Sequence, residues 1–507
     1  MKESNNTAPS GQTTTTYDHV LKYTWLFGGV QGINMLVGVV RNKIVALLLG
    51  PEGTGLINLF NNITKLINEI TSFGISFSAV KHIAELRDEE TPSDEQKQLL
   101  QHYINVVRTW SVTTGLLGLF ITLLLAPFIS RATFGSEQYT ADIAILCPLS
   151  LCLTITGGEL AILKGIRRLK EIAIASVLGA IAALLICTPI YYYWRMNGIP
   201  ASLVLCSTAT TLITCHFSNK AASWRSFNIS KQLYADGIPM IKLGIGFICA
   251  GVMGEGTAYI TRAFIIRLGD LADVGLYNSG YMMAVTYASV VFIAIEADYF
   301  PRLSAAKSDV RSQNFTVNQQ IEVCTLLIAP CLVVFVTLMP FIVPLLFSSQ
   351  FINAVPMSIA ASFYMLFRAF SLPTAYLSLA HGDSFVYMLT EFVYDLLVAI
   401  CTPLAFYYWG LQGCGFALSF AGLVYLIVIQ TLYHRIYGFT LDRQLLPLCL
   451  LQLFLLTVTV CISLQADGPI RWGINAIAVV VSVFCSLRMI QRKTTLARQL
   501  LKKFRRR

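Results

Sequence analysis

"VVRNKIVALLLGPEGTGLIN", residues 39–58, starts as a membrane-spanning helix and then departs from one. Arg41 and Lys43 stand where hydrocarbon should be, and Gly50-Pro51-Glu52-Gly53-Thr54-Gly55 ends the apolar run with turn-forming residues. A charge at the bilayer centre costs about 3 kcal/mol on insertion scales, so such a side chain faces protein or water and is a functional candidate. The stretch also returns later in the chain. "RNKIVALLLGPEGTGLIN" (41–58) resembles "TRAFIIRLGDLADVGLYN" (261–278): a basic residue, an apolar run, Gly, a short acidic turn, then Gly-Leu-x-Asn.

The rest of the chain explains why a repeat at membrane depth decides the fold. Of 507 residues, 55% are hydrophobic and 13% charged, with a mean hydropathy of +0.64. A soluble chain cannot hide that much apolar surface, and the apolar runs approach the roughly 20 residues that cross a bilayer. The class is an all-α polytopic membrane protein. The opening MKESNNTAPSGQTTTTY is polar and does not look like a cleaved signal peptide. Thirteen cysteines are scattered singly, with no CxxC and no Cys/His cluster, so they read as small buried hydrophobes, and neither a disulfide framework nor a metal site is expected. The net charge of +10 does not point to nucleic acid, because its basic residues concentrate in a tail ending LKKFRRR. Such a tail holds the cytoplasmic side and touches anionic lipid.

About fourteen transmembrane helices are predicted. Six fall near 20–49, 53–80, 103–129, 139–163, 171–194 and 197–216, and six near 236–266, 271–300, 319–347, 352–380, 384–409 and 411–433. A last pair falls near 445–466 and 470–489. Lys81/Arg87/Lys97, Lys164/Arg167/Arg168/Lys170, Lys220/Arg225/Lys231 and Arg302/Lys307/Arg311 gather on one side, against Arg131, Arg195, Arg267 and Arg471 on the other. That asymmetry predicts two cytoplasmic termini. All connections are short, so whatever the protein does is expected to happen within the membrane.

Gly55-Leu56-Ile57-Asn58 and Gly275-Leu276-Tyr277-Asn278 lie 220 residues apart, which equals six predicted helices. Six is even, so the copies enter the membrane in the same direction, as in parallel-repeat transporters related by an axis along the membrane normal. The expected organisation is a tail (1–19), a first lobe of six helices (20–235), a second lobe of six (236–436) related to it by a pseudo-twofold around a cleft, an added helix pair (437–490) and a basic tail (491–507).

Helical spacing shows where intramembrane polar residues face. Gln31, Asn34, Gly38 and Arg41 share one face of helix 1; Asn58, Asn61, Lys65, Glu69 and Ser72 share one of helix 2; Gly251, Glu255, Tyr259 and Arg262 share one of helix 7. These stripes predict a wet space with Arg41, Lys65 and Arg262 on its wall, and with Asn34, Asn58, Asn61 and Tyr259 beside them. Lys43 lies off the stripe and snorkels. Lys65 and Glu69 stand four residues apart, and Glu255 stands two turns from Arg262, so ion pairing is a second reading for both cations. Arg41 has no acid within helical reach. Arg368 and Asp395 sit at equal distances from the turn at Gly382, with Glu391 one turn from Asp395. That arrangement reads as a salt bridge, or as a surplus carboxylate that carries a coupling proton or sodium ion. No P-loop, GxSxG or metal-ligand spacing occurs, so no enzyme activity and no bound cofactor are expected, and any pumping must use an ion gradient or the membrane potential.

The basic residue, apolar run and GPEGTGL of helix 1, the "EADYFPRLS" (296–304) that ends helix 8, and the six-plus-six repeat resemble the multidrug/oligosaccharidyl-lipid/polysaccharide exporter superfamily over roughly residues 20–436. Within it they resemble the O-antigen type of lipid-linked oligosaccharide flippase. The resemblance implies an undecaprenyl-diphosphate-linked sugar repeat unit as substrate, carried across a bacterial inner membrane by a V-shaped pair of lobes whose cationic lumen opens alternately to each side. It also implies a polysaccharide polymerase and chain-length proteins as pathway partners, and no nucleic acid. The extra helix pair departs from the commoner twelve-helix pattern and is shared with lipid II flippases, which keeps peptidoglycan precursor as an alternative substrate. Multidrug/cation antiport would need acids on the helix that here carries Arg41.

Overall fold

The structure is a computed structural model that describes residues 10–86, 94–224, 230–465 and 468–493. The first nine residues, Arg87, Arg225, the basic end from residue 494, and the side chains of Gln31, Glu296 and Asp298 lie outside the described residues. Among the described residues the chain is helical nearly throughout.

The first helix, α1 (Ser10–Thr71), shows how the opening stretch folds. Its 62 residues would be about 93 Å long if straight, three times the hydrocarbon thickness. It breaks at Gly50, whose φ of 66° and ψ of −166° strongly favour glycine. Pro51 then starts the next run at a position where its missing N–H costs nothing. The turn expected at 50–55 is therefore one residue followed by helix.

Further helices are α2 (Ile75–Glu85), α3 (Asp94–Phe134), α4 (Thr140–Ile145), α5 (Cys147–Gly165), α6 (Leu169–Trp194), α7 (Ile199–Ala221) and α8 (Lys231–Leu268). They continue as α9 (Leu271–Tyr281), a π turn over Met282–Tyr287, α10 (Ala288–Ala306), α11 (Val310–Leu346), α12 (Val355–Ala360), α13 (Ser362–His381), α14 (Ser384–Tyr437), α15 (Leu446–Gln465) and α16 (Pro469–Lys493). Among the described residues, eight helices are long and apolar enough to cross a membrane, or nine if the pair Ser349–Ala360 and Ser362–His381, bent by 41°, forms one span. Three of the eight run for 40, 52 and 54 residues and are interrupted at Gly50, Arg195 and Gly410.

Several expected spans are not single continuous helices. The second, expected over 53–80, stops at Thr71 because Phe73 (φ 49°) and Gly74 (φ 65°) are left-handed. The fourth, expected over 139–163, stands as one span over Thr140–Gly165, with a turn at Leu146 just before Pro148. The eighth carries the π turn and extends to Ala306. Arg195 (φ 46°, ψ −129°) adopts the conformation that Gly410 (φ 60°, ψ −150°) adopts later, at a strain of about 1–3 kcal/mol for a residue with a side chain.

The described chain packs as two compact units. One holds the residues up to Leu49 and Phe60–Val252; the other holds Gly50–Leu59 and the residues from Met253 onward. This packing partition differs from the repeat boundary at 235/236, because it passes through α1 and α8. In the first unit a core built on Ile83, Val107, Ile162 and Met240 joins α2, α3, α5 and α8. In the second a tyrosine-rich core of Tyr299, Tyr425, Tyr433 and Tyr437 joins α10 and α14 with Ile321 of α11 and Leu377 of α13.

The second unit also contains the meeting point of the two Gly-Leu-x-Asn motifs. A Cβ on Gly55 would overlap the Leu271 carbonyl oxygen, and one on Gly275 would overlap the Pro51 carbonyl oxygen. Pro51 and Leu271 occupy matching places in the repeat, so the contact is reciprocal, as across a twofold. Asn58 and Asn278 each donate at 2.8 Å to the carbonyl four residues earlier. Gly275→Val is expected to destabilise the protein by about 1–3 kcal/mol through backbone overlap, read as a lowered Tm in detergent; an unchanged Tm would show that the contact yields freely.

Candidate functional site: charged and hydroxylated side chains inside the spans

In the first unit, Arg41 is exposed and makes no hydrogen bond or ion pair among the described residues. On the same helix, Asn34 donates to Ser176 Oγ of α6 at 2.7 Å, which keys this face of α1 onto α6. Lys65 is exposed and Glu69 half-buried, and each is engaged with a neighbour. The Glu69 carboxylate lies against Gly251, where a Cβ would approach Oε2 to 2.6 Å. Asn61 is half-buried. Asn68, beside the stripe, accepts from Thr154 at 2.7 Å.

In the second unit, Arg262 is anchored. Its Nε donates to Asn278 Oδ1 at 2.7 Å, its Nη1 donates to the Ala258 carbonyl at 2.8 Å, and the guanidinium lies 5.7 Å from the Tyr277 ring centroid. Asn278 thus receives from Arg262 and gives to its own helix. By the 220-residue offset Arg262 matches Asn42 rather than Arg41, so the two arginines are neighbours in the repeat, not equivalents. Asn58 spends its amide on the Thr54 carbonyl. Glu255 and Tyr259 are half-buried and engaged with neighbours.

The expected bridge between Arg368 and Asp395 does not form. Arg368 Nη1 donates to the Tyr364 hydroxyl at 2.7 Å, and no ion pair joins it to Glu391 or Asp395. Glu391 accepts from the Tyr425 hydroxyl at 2.5 Å. Asp395 meets α8 through its backbone carbonyl, which accepts from Thr257 at 3.4 Å. Tyrosine hydroxyls, which helical spacing of charges does not weigh, take the partners that the equal-depth argument assigned to carboxylates. Tyr364 stacks on Tyr394 at 5.5 Å, and Tyr394 meets Tyr425 edge-on at 5.5 Å. Tyr277 stacks on Tyr281 at 6.3 Å. The second unit therefore holds two polar groups, one of Arg262, Asn278, Tyr277 and Tyr281 and one of Arg368, Glu391, Tyr364, Tyr394 and Tyr425. Tyr277, Tyr364 and Tyr425 are buried in these groups, and Tyr425 donates its hydroxyl to Glu391, so they complete internal polar contacts.

Sequence reasoning also missed Arg108 and Glu159, both about 1% exposed. Arg108 grips the carboxylate with two nitrogens at 2.9 and 3.2 Å, donates to the Ala222 and Ser223 carbonyls, and lies 4.3 Å from the Trp224 ring centroid. Each residue sits one to two turns from the inner end of its expected span, so the equal-depth argument would have found this pair.

These features define a class: a polytopic helical membrane protein with polar chemistry inside its spans and the fold of the multidrug/oligosaccharidyl-lipid/polysaccharide exporter superfamily. A multidrug resistance transporter of that superfamily, solved inward-facing, matches with a TM-score of 0.64 at 16% identity, covering 80% of this chain and 94% of that one. The lipid II flippase MurJ, in an inward closed conformation, matches with a TM-score of 0.66 at 14% identity, covering 92% of this chain and 99% of that one. The chain belongs to the polysaccharide biosynthesis protein family, whose model matches residues 20–307 and so takes in both copies of the repeat motif. Among curated relatives, the lipid III flippase of Escherichia coli (strain K12) is 22% identical over 173 residues, and stage V sporulation protein B of Bacillus subtilis (strain 168) is 23% identical over 198. The chain spans 38% and 37% of the length of these relatives and 34% and 38% of itself is matched.

Proposed function

We propose that the protein is a flippase that moves an undecaprenyl-diphosphate-linked oligosaccharide repeat unit, the precursor of O-antigen or a related surface polysaccharide, from the cytoplasmic to the periplasmic leaflet of the bacterial inner membrane. The observation that supports this most is Arg41, a fixed cation at span depth without an ion pair among the described residues. A guanidinium there favours a diphosphate, with which it can form two parallel charge-assisted hydrogen bonds. Tyr259, half-buried in the second unit, suits a sugar hydroxyl. The lipid III flippase among the relatives moves a substrate named as a lipid, which supports the same class. Both termini lie in the cytoplasm on this reading, and a polymerase and chain-length proteins act downstream.

A second substrate, lipid II, is the alternative: the lipid II flippase MurJ matches over 92% of this chain, the multidrug transporter over 80%. Expression in one strain lacking its surface-polysaccharide flippase and in another depleted of its lipid II flippase separates the two. Restored surface glycan with no rescue of growth is expected; rescue of growth alone would assign the peptidoglycan precursor. For coupling, Asp395→Asn is expected to alter the dependence of transport on an imposed proton or sodium gradient in proteoliposomes. An unchanged dependence would remove Asp395 from coupling.

A further inference from the structure

A second repeat lies outside everything assigned above. Tyr192-Tyr193-Trp194 ends α6, and Tyr407-Tyr408-Trp409 ends the first half of α14. The six side chains are 63–73% exposed, among the most exposed large side chains of their helices. Neighbouring rings meet at steep angles in both copies: 5.2 and 6.2 Å in the first, 5.1 and 5.8 Å in the second. The residue after each tryptophan, Arg195 or Gly410, has a positive φ that interrupts the helix. The rings therefore occupy the last turn of an apolar span, once in each unit.

We propose that the two triplets are matched anchors that seat each unit in the lipid headgroup layer, and that Arg195 adds a contact to lipid phosphate in the first. Three consecutive residues sweep about 200° of a helix circumference. A sugar ring stacks on one face; a boundary between hydrocarbon and water surrounds the helix, and amphipathic rings sit at that boundary from every side. The second copy uses glycine at the strained position, while the first keeps an exposed arginine there. A phosphate at that level gives the arginine a purpose the backbone does not.

The test uses the full-length protein in nanodiscs, comparing wild type with Trp194→Phe and Trp409→Phe. The fluorescence component lost in each variant is expected to be quenched at least about twofold more by lipids brominated near the headgroup than by lipids brominated near the chain end. Stronger quenching by aqueous iodide or by bilayer-centre bromine would overturn the anchor, as would a shift of that component on adding free oligosaccharide. For Arg195, the Tm difference between discs of phospholipid and discs of an uncharged galactolipid is expected to shrink in Arg195→Gly. A difference equal to that of wild type would overturn the phosphate contact while leaving the aromatic anchors standing.

Discussion

Arg41→Ala is expected to reduce export of the lipid-linked saccharide severely while the protein still inserts at a normal level. A hydrogen bond to a charged group contributes about 2 kcal/mol, so losing one guanidinium contact predicts roughly a 30-fold fall in transport. Arg41 is exposed and holds no partner among the described residues, so its removal leaves no orphaned acid and little damage to packing. Lysine at 41 keeps the charge but not the fork, and intermediate activity is expected. Surface glycan at the normal level in Arg41→Ala, with protein level unchanged, would remove this residue from the substrate path. Arg262→Ala should also fail, for a mixed reason: it frees Asn278 and uncovers the Tyr277 face as well as removing a cation.

The second large effect falls on stability. Arg108→Ala leaves the Glu159 carboxylate buried without its cation, and Glu159→Ala leaves the guanidinium with only two carbonyls and the Trp224 ring. Removing one partner of such a pair costs about 3–5 kcal/mol. Each single variant should show a markedly lower Tm in detergent. The apolar double variant Arg108→Met/Glu159→Leu should lose less than the two singles combined, because no charge is stranded. Additive losses would mean that the carbonyl and Trp224 contacts, rather than the ion pair, hold this corner of the first unit.

Much of the fold is written in local residue types. Gly50 breaks the helix in a conformation that favours glycine, and Gly-Leu-x-Asn repeats because each glycine meets the carbonyl that opens the other copy's helix. The left-handed Phe73 and Arg195 could not be read, since neither residue type announces that conformation. At the site, periodicity finds which residues face inward but not whom they meet. Arg368 goes to Tyr364 one turn back on its own helix, and Glu391 goes to Tyr425, because a tyrosine hydroxyl brings no charge to catch the eye and still completes a buried polar group. Arg262 reads as an inward cation, and its anchoring by Asn278 depends on helix packing that spacing along one helix does not contain.

The most direct measurement reconstitutes the purified protein in proteoliposomes with a fluorescent polyprenyl-diphosphate-linked oligosaccharide and follows its access to a membrane-impermeant quencher. Translocation that requires the wild-type protein, that falls with Arg41→Ala, and that fails for the same saccharide on a polyprenol without the diphosphate is the predicted result. Equal movement with and without the diphosphate, or none with folded wild-type protein, would contradict the assignment of a lipid diphosphate as substrate.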